Sequence, residues 1–261
     1  HPLIFKAIEK KDYLLYTPYH SFSYVVKFLR EAALDPDVSL IKITIYRLSK
    51  ISNVARALIN AAKNGKKVLV QIELQARFDE TNNIIYAEQM ESAGVELIFG
   101  IPGLKVHSKI CVIEKKINNK RKRFGFVSTG NLNEDTAKLY TDYTLFTANQ
   151  KILRDVNKVF NFLQVHYKLK KYKHLIVSPH YTHNAIVKLI NNEIKNQKSG
   201  LSSGIRLKLN AITNFSMIDK LYEASNAGVK IKMIVRGICC LIPGVEGMSE
   251  NIEVISVVDK F

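Results

Sequence analysis

The first hundred residues alternate between short apolar runs, rich in β-branched side chains, and longer stretches with a helical pattern. Apolar runs of about four to eight residues bounded by turn residues are typical of buried strands. The alternation predicts, in chain order, strand Leu40–Tyr46, helix Asn53–Asn64, strand Val68–Ile72, a helix over about Asn83–Ala93, and strand Val95–Phe99. Gly65 and Gly94 directly follow the two helices and end them. This βαβαβ order predicts an α/β fold with a mainly parallel sheet flanked by helices.

The next pair of strands is predicted to form a hairpin. Lys109–Glu114 and Arg123–Val127 are apolar runs joined by Lys115–Lys122, a segment dense in lysine and arginine. We therefore expect a hairpin with a basic tip. A helix over about Lys151–Phe162 closes the first half of the chain.

The second half of the chain repeats the order of the first. Its predicted elements are strand Ile205–Leu209, helix Ser216–Asn226 and strand Lys230–Val235. Gly228 follows Gly65 by 163 residues (228 − 65), and Leu221 follows Leu58 by the same distance (221 − 58). We expect two copies of one α/β unit, with chance similarity between βα units as the alternative.

The boundary between the two expected domains lies near the charge run Lys168–Lys173, which is most simply a solvated linker. We place one domain at residues 1–166 and the other at 167–261. The chain begins with neither Met nor a signal peptide, so we expect it to be a piece of a longer protein.

The charge balance favours a polyanionic partner. Lysine and arginine number 39 against 23 acidic residues, a net charge of +16. Such an excess attracts nucleic acid, anionic lipid or chains of phosphate, although a lysine-rich surface that merely aids solubility is about as well supported. No apolar run approaches the roughly 20 residues of a membrane span. Cys111, Cys239 and Cys240 lie in apolar runs, so we expect reduced core residues of a cytosolic protein and no zinc site.

Three basic residues are evenly spaced: Arg47, Arg77 and His107 are each 30 residues apart (77 − 47 and 107 − 77). One βαβ step takes about 30 residues, so we expect all three at the same edge of the sheet. Arg47 and Arg77 follow the carboxyl ends of strands, where open α/β sheets bind ligands. Two guanidinium groups there would hold phosphate oxygens in bidentate contacts. The alternative is pairing with a surface carboxylate.

His107 is the candidate nucleophile. If the strand after Gly103 is regular, its two-residue period places Lys105, His107 and Lys109 on one face. The two ammonium groups would lower the pKa of the imidazole and keep it neutral. A lone histidine is more often structural, and the prediction assumes that the three side chains face a pocket. The polar turn Ser128–Asn131, which ends a strand, suits phosphate contact or is a plain turn.

Two families resemble these motifs. His107-x-Lys109 followed by Glu114 and Ser128-Thr-Gly-Asn131 resembles the signature of the phospholipase D superfamily, with Glu114 in place of an aspartate. Glu114 also has the opposite strand parity to His107, so we assign it no catalytic role. A narrower resemblance covers about residues 13–261. The long-chain polyphosphate kinase family is similar at Ile45–Arg47, Glu73–Glu80, Gly103–Lys109, Ser128–Asn133, Leu139–Asp142 and Val235–Cys240.

This resemblance implies two α/β domains of phospholipase D type, each a mostly parallel or mixed sheet flanked by helices. His107 is then the phosphorylated histidine, with Lys109 beside it. Tyr140 and Arg236 occupy the family's ATP-contacting positions. The cofactor-binding and catalytic residues implied or expected are His107, Lys109, Tyr140, Arg236, Arg47, Arg77 and Asn131. Arg47 and Arg77 fall at positions that the family associates with Mg²⁺, and because that ion prefers oxygen ligands we expect them to hold phosphate oxygens that carry the metal.

The implied activity is reversible transfer of the terminal phosphate of ATP to polyphosphate through a phosphohistidine. The implied partners are ATP or ADP, Mg²⁺, polyphosphate and further copies of the full-length protein, with no specific nucleic acid. The implied location is cytoplasmic, with peripheral attachment to a membrane open. The family has two further domains ahead of this region and a second histidine beyond residue 261, so we expect this chain alone to have little or no turnover. The alternatives are a phospholipase D-type phosphodiesterase and a non-catalytic polyanion-binding fragment.

Overall fold

The computed structural model describes residues 3–73, 80–166 and 171–257. The chain divides between Leu175 and Ile176 into two compact units, here the first unit and the second unit. The predicted α/β class is confirmed, with helices beside a mixed sheet in the first unit and a parallel sheet in the second.

The first unit contains helices α1 to α5 and strands β1 to β7. The helices are α1 Ile4–Lys10, α2 Ser23–Leu34, α3 Asn53–Lys63, α4 Glu80–Ser92 and α5 Gln150–Gln164. The strands are β1 Tyr13–Thr17, β2 Val38–Ile45, β3 Lys67–Ile72, β4 Glu96–Phe99, β5 Lys109–Ile117, β6 Lys120–Ser128 and β7 Asp142–Thr147. A single 3₁₀ turn, Thr136–Lys138, precedes β7.

The sheet of the first unit is mixed, in the order β1-β7-β6-β5-β2-β3-β4. Only β2, β3 and β4 pair in parallel. On the other side of β2, the pairings through β5, β6, β7 and β1 are antiparallel. A mainly parallel sheet was therefore the wrong expectation for this unit. The parallel arrangement is confined to strands that helices connect, because a hairpin turn can join antiparallel strands only.

The centre of the sheet is buried on both faces at β3, where the consecutive residues Val68, Leu69 and Val70 are all buried. In β2 the fully buried Ile41, Ile43 and Ile45 share one face. Helices α2 and α3 are amphipathic, and each buries a stripe of apolar residues. The side chain of Ser52 caps α3 by accepting a hydrogen bond from the backbone N–H of Ala55.

The hairpin is longer than the sequence pattern predicted. Strands β5 and β6 pair all the way to Ile117 and Lys120, so that only Asn118 and Asn119 form the turn. Both asparagines have positive φ, 48° and 58°, which is the requirement of a two-residue type I′ turn. The expected basic loop over residues 115–122 is thus mostly strand.

The second unit repeats the parallel part of the first. It contains α6 Thr182–Lys198, β8 Ile205–Leu209, α7 Phe215–Asn226, β9 Ile231–Val235 and β10 Ile252–Ile255, with a parallel sheet in the order β10-β9-β8. Gly228 after α7 has the left-handed conformation of Gly65 after α3, with φ of 91° and 78°. The β8–α7–β9 segment therefore has the connectivity of β2–α3–β3.

The structure overturns one expectation, for the cysteines, and shows what Glu114 contacts. Cys111 is buried, but Cys239 and Cys240 are exposed and all three thiols are free, so the prediction of core positions was wrong for the adjacent pair. Glu114 is buried on β5, where its carboxylate pairs with Arg123 Nε at 2.9 Å and Arg121 Nε at 3.3 Å. These ion pairs across the hairpin explain why this position carries an acid. Among the residues described, no helix is long and apolar enough to cross a membrane.

Candidate active site

The candidate residues meet where β2 ends and β5 begins, here called the β2–β5 edge. The two strands are antiparallel, with Ile43 opposite Cys111, so the residues after β2 lie beside those before β5. The Thr44 hydroxyl donates to the carbonyl oxygen of Ser108 at 2.7 Å and accepts from the N–H of Ile110 at 3.0 Å. A fully buried threonine thereby fixes the backbone that carries His107.

His107 lies in an extended segment before β5 and not in a regular strand, because β5 begins at Lys109. The strand alternation assumed from the sequence is therefore wrong here, yet Lys109 does contact His107. Its Nζ lies 2.8 Å from His107 Nδ1 and donates to the carbonyl oxygen of His107 at 2.5 Å. Arg47 and His107 share an edge, as predicted, but the reason differs: β5 starts at this edge as an antiparallel strand.

The ring of Tyr46 is the centre around which the basic residues gather. Tyr46 is 5% exposed, and His107 packs edge-on against it with the ring centroids 4.7 Å apart. Three cations lie over the same ring: Lys105 Nζ at 5.2 Å, Lys109 Nζ at 5.4 Å and Arg47 Cζ at 5.4 Å from its centroid. Sequence reasoning missed this residue, although its place directly before Arg47 was a usable signal.

The environment favours a neutral imidazole. His107 keeps a solvent-exposed side, while burial of the ring and then the charges of Lys109, Lys105 and Arg47 lower its pKa to about 4. The sequence argument named the lysines, but burial is the larger cause. Burial also lowers the pKa of Lys109 to about 8, with Arg47 and Lys105 adding to the effect and Asp142 opposing it.

The contact between Lys109 and His107 decides where the imidazole proton is. A protonated lysine can only donate, so Nδ1 must be the acceptor and the neutral ring carries its proton on Nε2. The lone pair of Nδ1 is then occupied by the ammonium group. Lys109 is 3% exposed, so its side chain contacts mainly other groups at the β2–β5 edge and little solvent.

The turn Ser128–Asn131 lies at the same edge, because Ser128 at the end of β6 is opposite Lys109. Thr129 Oγ1 donates to Asp142 Oδ1 at 2.8 Å, and a side chain at Gly130 would collide with Asp142. Position 130 therefore requires glycine, because its backbone lies close against the side chain of Asp142. Asp142 is therefore held beside the turn and acts on the charge of Lys109 from there.

The remaining predicted residues lie at different places. Asn131 is half-buried at the end of the turn, and its Oδ1 is buried with no hydrogen-bond partner among the described residues. Tyr140 is 51% exposed, two residues before Asp142. Arg236 is exposed and directly follows β9 in the second unit. Arg77 lies outside the described residues.

The amino end of α3, which follows the Arg47 segment, is occupied by a carboxylate of the protein itself. Glu134 accepts from the N–H groups of Asn53 at 2.6 Å and Val54 at 3.2 Å, and from Ser49 Oγ at 2.6 Å. The segment after the Ser128 turn is thus tied to the segment after β2. Sequence reasoning assigned Glu134 no part.

The donor set at the β2–β5 edge does not fit a metal ion held directly by protein. Within residues 3–73, 80–166 and 171–257 there is no group of three or more His, Cys, Asp or Glu residues that could hold a metal. The described side chains that meet around Tyr46 are His107 and the cations Arg47, Lys105 and Lys109, whereas divalent ions of the magnesium type require oxygen ligands.

Fold and site together define an α/β protein whose sheet edge gathers a neutral histidine and several cations, an arrangement typical of phosphate-handling enzymes. The family models of polyphosphate kinase C-terminal domain 1 and C-terminal domain 2 match residues 3–169 and 175–261, respectively. The chain belongs to the polyphosphate kinase family, which confirms the resemblance found in its motifs.

Individual relatives agree with this assignment. Polyphosphate kinases of Vibrio parahaemolyticus and Escherichia coli are each 48% identical over 257 residues, covering 98% of this chain and 37% of theirs. The crystal structure of polyphosphate kinase from Porphyromonas gingivalis matches with a TM-score of 0.89 and 42% identity, over 100% of this chain and 43% of that one. The chain thus spans well under half the length of these relatives.

Proposed function

We propose that this chain carries the phosphohistidine site of a polyphosphate kinase, with His107 as the group that accepts phosphate from ATP. The observation that carries the proposal is a histidine with a pKa near 4 among Lys105, Lys109 and Arg47. A neutral imidazole has the lone pair that a nucleophile needs. The surrounding cations would neutralise charge that develops on the transferred phosphoryl group.

Transfer would take place in two displacements at phosphorus. A nitrogen of His107 attacks the γ-phosphorus of ATP, the N–P bond forms, and the bond to the β-phosphate oxygen breaks to release ADP. A terminal oxygen of polyphosphate then attacks the same phosphorus, the N–P bond breaks, and the chain is one phosphate longer. The reverse sequence makes ATP from polyphosphate and ADP.

Lys109 would couple the arrival of phosphate to activation of the nucleophile. In the structure its ammonium group occupies the lone pair of Nδ1. A phosphate that takes this N–H as its own hydrogen bond leaves Nδ1 free, or allows the proton to move there and so frees Nε2. Either way, the lone pair becomes available once phosphate has displaced Lys109.

The other assignments belong to the same proposal. Arg47 and Arg77 would hold phosphate oxygens, Tyr140 and Arg236 the nucleotide, and Asn131 the phosphate near the Ser128 turn. Mg²⁺ would arrive bound to the nucleotide phosphates, consistent with the lack of a carboxylate cluster in the described residues. The net charge of +16 suits a polyphosphate substrate, as it would any polyanion, and the proposal includes no specific nucleic acid. The activity belongs to the longer protein, whose copies we expect to associate, and residues 1–166 and 167–261 would be its paired domains.

Labelling with γ-³²P-ATP and Mg²⁺ tests the proposal. We expect acid-labile, base-stable label on the wild-type chain and none on His107→Ala. The matched control is His183→Ala, because His183 of the second unit is also exposed and hydrogen-bonded, to Ser216 Oγ at 2.9 Å.

Three results would contradict the proposal. Equal labelling of His107→Ala and the wild-type chain would show that the phosphorylated residue is not His107. Cleavage of a phosphodiester without ATP would indicate a phospholipase D-type enzyme. Absence of label, with salt-sensitive polyphosphate binding that survives His107→Ala, would indicate a binding fragment. We expect slow net synthesis from this chain alone even when the label forms.

A further inference from the structure

We propose that Tyr46 is a positioning residue whose aromatic ring holds His107 and three cations in place before phosphate binds. The inference rests on the proposed function, and it assigns to one aromatic ring the arrangement of the whole β2–β5 edge. Its carrying observation is the set of four contacts to the Tyr46 ring, from His107, Lys105, Lys109 and Arg47.

The physical problem at this edge is repulsion between like charges. Arg47, Lys105 and Lys109 lie around one ring, and the charges of Arg47 and Lys105 help to lower the pKa of Lys109, an effect that Asp142 opposes. Each ammonium group is therefore repelled by its cationic neighbours. The negative faces of an aromatic ring attract cations, each contact contributing about 0.5–2 kcal/mol depending on solvent exposure. The ring thus offsets the repulsion while the site is empty of substrate.

The same ring also orients the nucleophile. The imidazole of His107 meets Tyr46 at an interplanar angle of 67°, an edge-to-face arrangement. This contact buries one side of the imidazole, and burial is the largest cause of its low pKa. The positions of cations and nucleophile therefore depend on one side chain.

Tyr46 is itself held rigidly. Asn83, fully buried in α4, donates from Nδ2 to the carbonyl oxygen of Tyr46 at 3.0 Å and accepts from the N–H of Leu48 at 2.9 Å. The Tyr46 hydroxyl makes no hydrogen bond in the part of the chain that the structure describes. The ring and not the hydroxyl is therefore the functional part, so phenylalanine should replace tyrosine.

The first experiment follows the pKa of His107 by NMR titration without any nucleotide. We expect Tyr46→Phe to leave this pKa near its wild-type value and Tyr46→Met to raise it by about one unit or more, because the imidazole loses its buried side. Phe124→Met is the matched control, because Phe124 is another buried aromatic ring of the first unit. An unchanged pKa in Tyr46→Met, or an equal rise in Phe124→Met, would overturn the proposal.

The second experiment keeps the shape of the ring and removes its negative face. 3,4,5-Trifluorophenylalanine at position 46 is compared with phenylalanine, so a folding defect does not obscure the result. We expect affinity for inorganic tripolyphosphate to fall roughly threefold to tenfold, as the loss of cation–π attraction predicts. Equal affinities of the two variants would overturn the proposal.

The outcomes distinguish this inference from the proposed function. A shifted pKa and weakened tripolyphosphate binding, with no phosphohistidine on the wild-type chain, would support Tyr46 as the organiser of a phosphate-binding edge and reject the kinase activity of His107. Normal labelling of all the Tyr46 variants, with unchanged pKa and affinity, would do the reverse.

Discussion

The β2–α3–β3 segment of the first unit and the β8–α7–β9 segment of the second have the same connectivity but different neighbours. In each, two parallel strands flank a helix that a left-handed glycine follows. In the first unit the sheet continues from β2 into antiparallel β5, β6 and β7, whereas every described pairing in the second unit is parallel. His107, Lys109 and the Ser128 turn all lie on the antiparallel addition. The repeated segment is thus the scaffold of the first unit, and much of its candidate chemistry lies on the antiparallel strands that the sheet gains beside β2.

The largest effect should come from a lysine on the added strands. Lys109→Met removes the cation that contacts His107, and we expect the rate of phosphohistidine formation to fall roughly 100-fold or more, the usual loss for one charge-stabilising donor. The control in the second unit is Lys232→Met, because Lys232 on β9 is exposed and pairs with Glu253 at 3.3 Å. Rapid-quench labelling measures both rates. Similar rates in the two variants would remove the distinction between scaffold and addition.

The pH dependence of the labelling rate should reflect the ionisation of the same lysine, Lys109. The ammonium form of Lys109 is present below its pKa of about 8, and neutral His107 is present above its pKa of about 4. We therefore expect the rate to fall as pH rises through about 8 and as it falls through about 4. Lys109→Arg should lose the alkaline fall, since a guanidinium stays charged. An unchanged alkaline limb in this variant would assign it to another group.

The two units should also differ in how low pH affects the hydrogen bonds that tie distant segments of each unit together. In the first unit, Asp155 Oδ2 accepts from the N–H groups of Lys173 and His174 at 2.7 Å, and its Oδ1 accepts from Lys158 Nζ at 2.8 Å. In the second unit, two neutral hydrogen bonds join Asn251 to Ser225: Ser225 Oγ accepts from the N–H of Asn251 at 3.2 Å, and Asn251 Nδ2 donates to the carbonyl oxygen of Ser225 at 2.9 Å. Burial of Asp155 would raise its pKa, but these hydrogen bonds outweigh burial and lower the pKa below its usual value.

Asp155→Asn should therefore reduce the free energy of unfolding at neutral pH by about 1–3 kcal/mol, measured with urea. The lowered pKa of Asp155 contributes stability that is complete above the usual value of 3.8 and is lost as pH falls through the folded-state value. The loss in Asp155→Asn should thus shrink in acid. Ser225→Ala is the control, with a cost that does not change with pH over this range. A loss of unfolding free energy in Asp155→Asn that stays constant with pH would show that the charge of Asp155 does not contribute to stability.

The smallest predicted effect tests whether α3 and α7 are terminated in the same way, by a glycine in the left-handed conformation. Gly65 and Gly228 both require the left-handed conformation, so alanine should cost about 1–2 kcal/mol at either position. A side chain at Gly65 would meet nothing within 4 Å, whereas one at Gly228 would lie 3.2 Å from Gln197 Nε2. We expect a slightly larger cost at Gly228, measured by urea unfolding. Asparagine, which tolerates positive φ, should be milder at both positions. No cost at either position would argue against a shared ending.

The sequence predicted the repeated scaffold better than the sheet as a whole. Strands such as Val68–Ile72 and the helix from Asn53 lie within a residue of their predicted limits, because local apolar patterning and glycine stops decide them. The order β6-β5-β2 depends on which strand pairs with β2, and no local pattern contains that information. Local pattern likewise placed Cys239 and Cys240 in the core, whereas both are exposed.

The candidate site was predictable only in part. The spacing of Arg47 and His107 correctly suggested a shared edge, although through a parallel step that the chain does not make. Tyr46 was missed because a single buried aromatic after a strand is ordinary in sequence, and only the positions of three cations around it distinguish it. Asp142 ends the Leu139–Asp142 motif, but only the structure shows that it acts on the charge of Lys109.

Glu134 has a consequence for how a polymer can be handled. Many phosphate-binding folds seat a single phosphate in the backbone N–H groups at a helix start, a rigid cradle that fixes the ligand in one register. Here the start of α3 is already filled by the Glu134 carboxylate. Under the proposed function, phosphates at the β2–β5 edge would therefore be bound largely by the flexible side chains of Lys105, Lys109 and Arg47. Such contacts can break one at a time, so a chain of identical phosphates could advance by one unit after each transfer and stay bound.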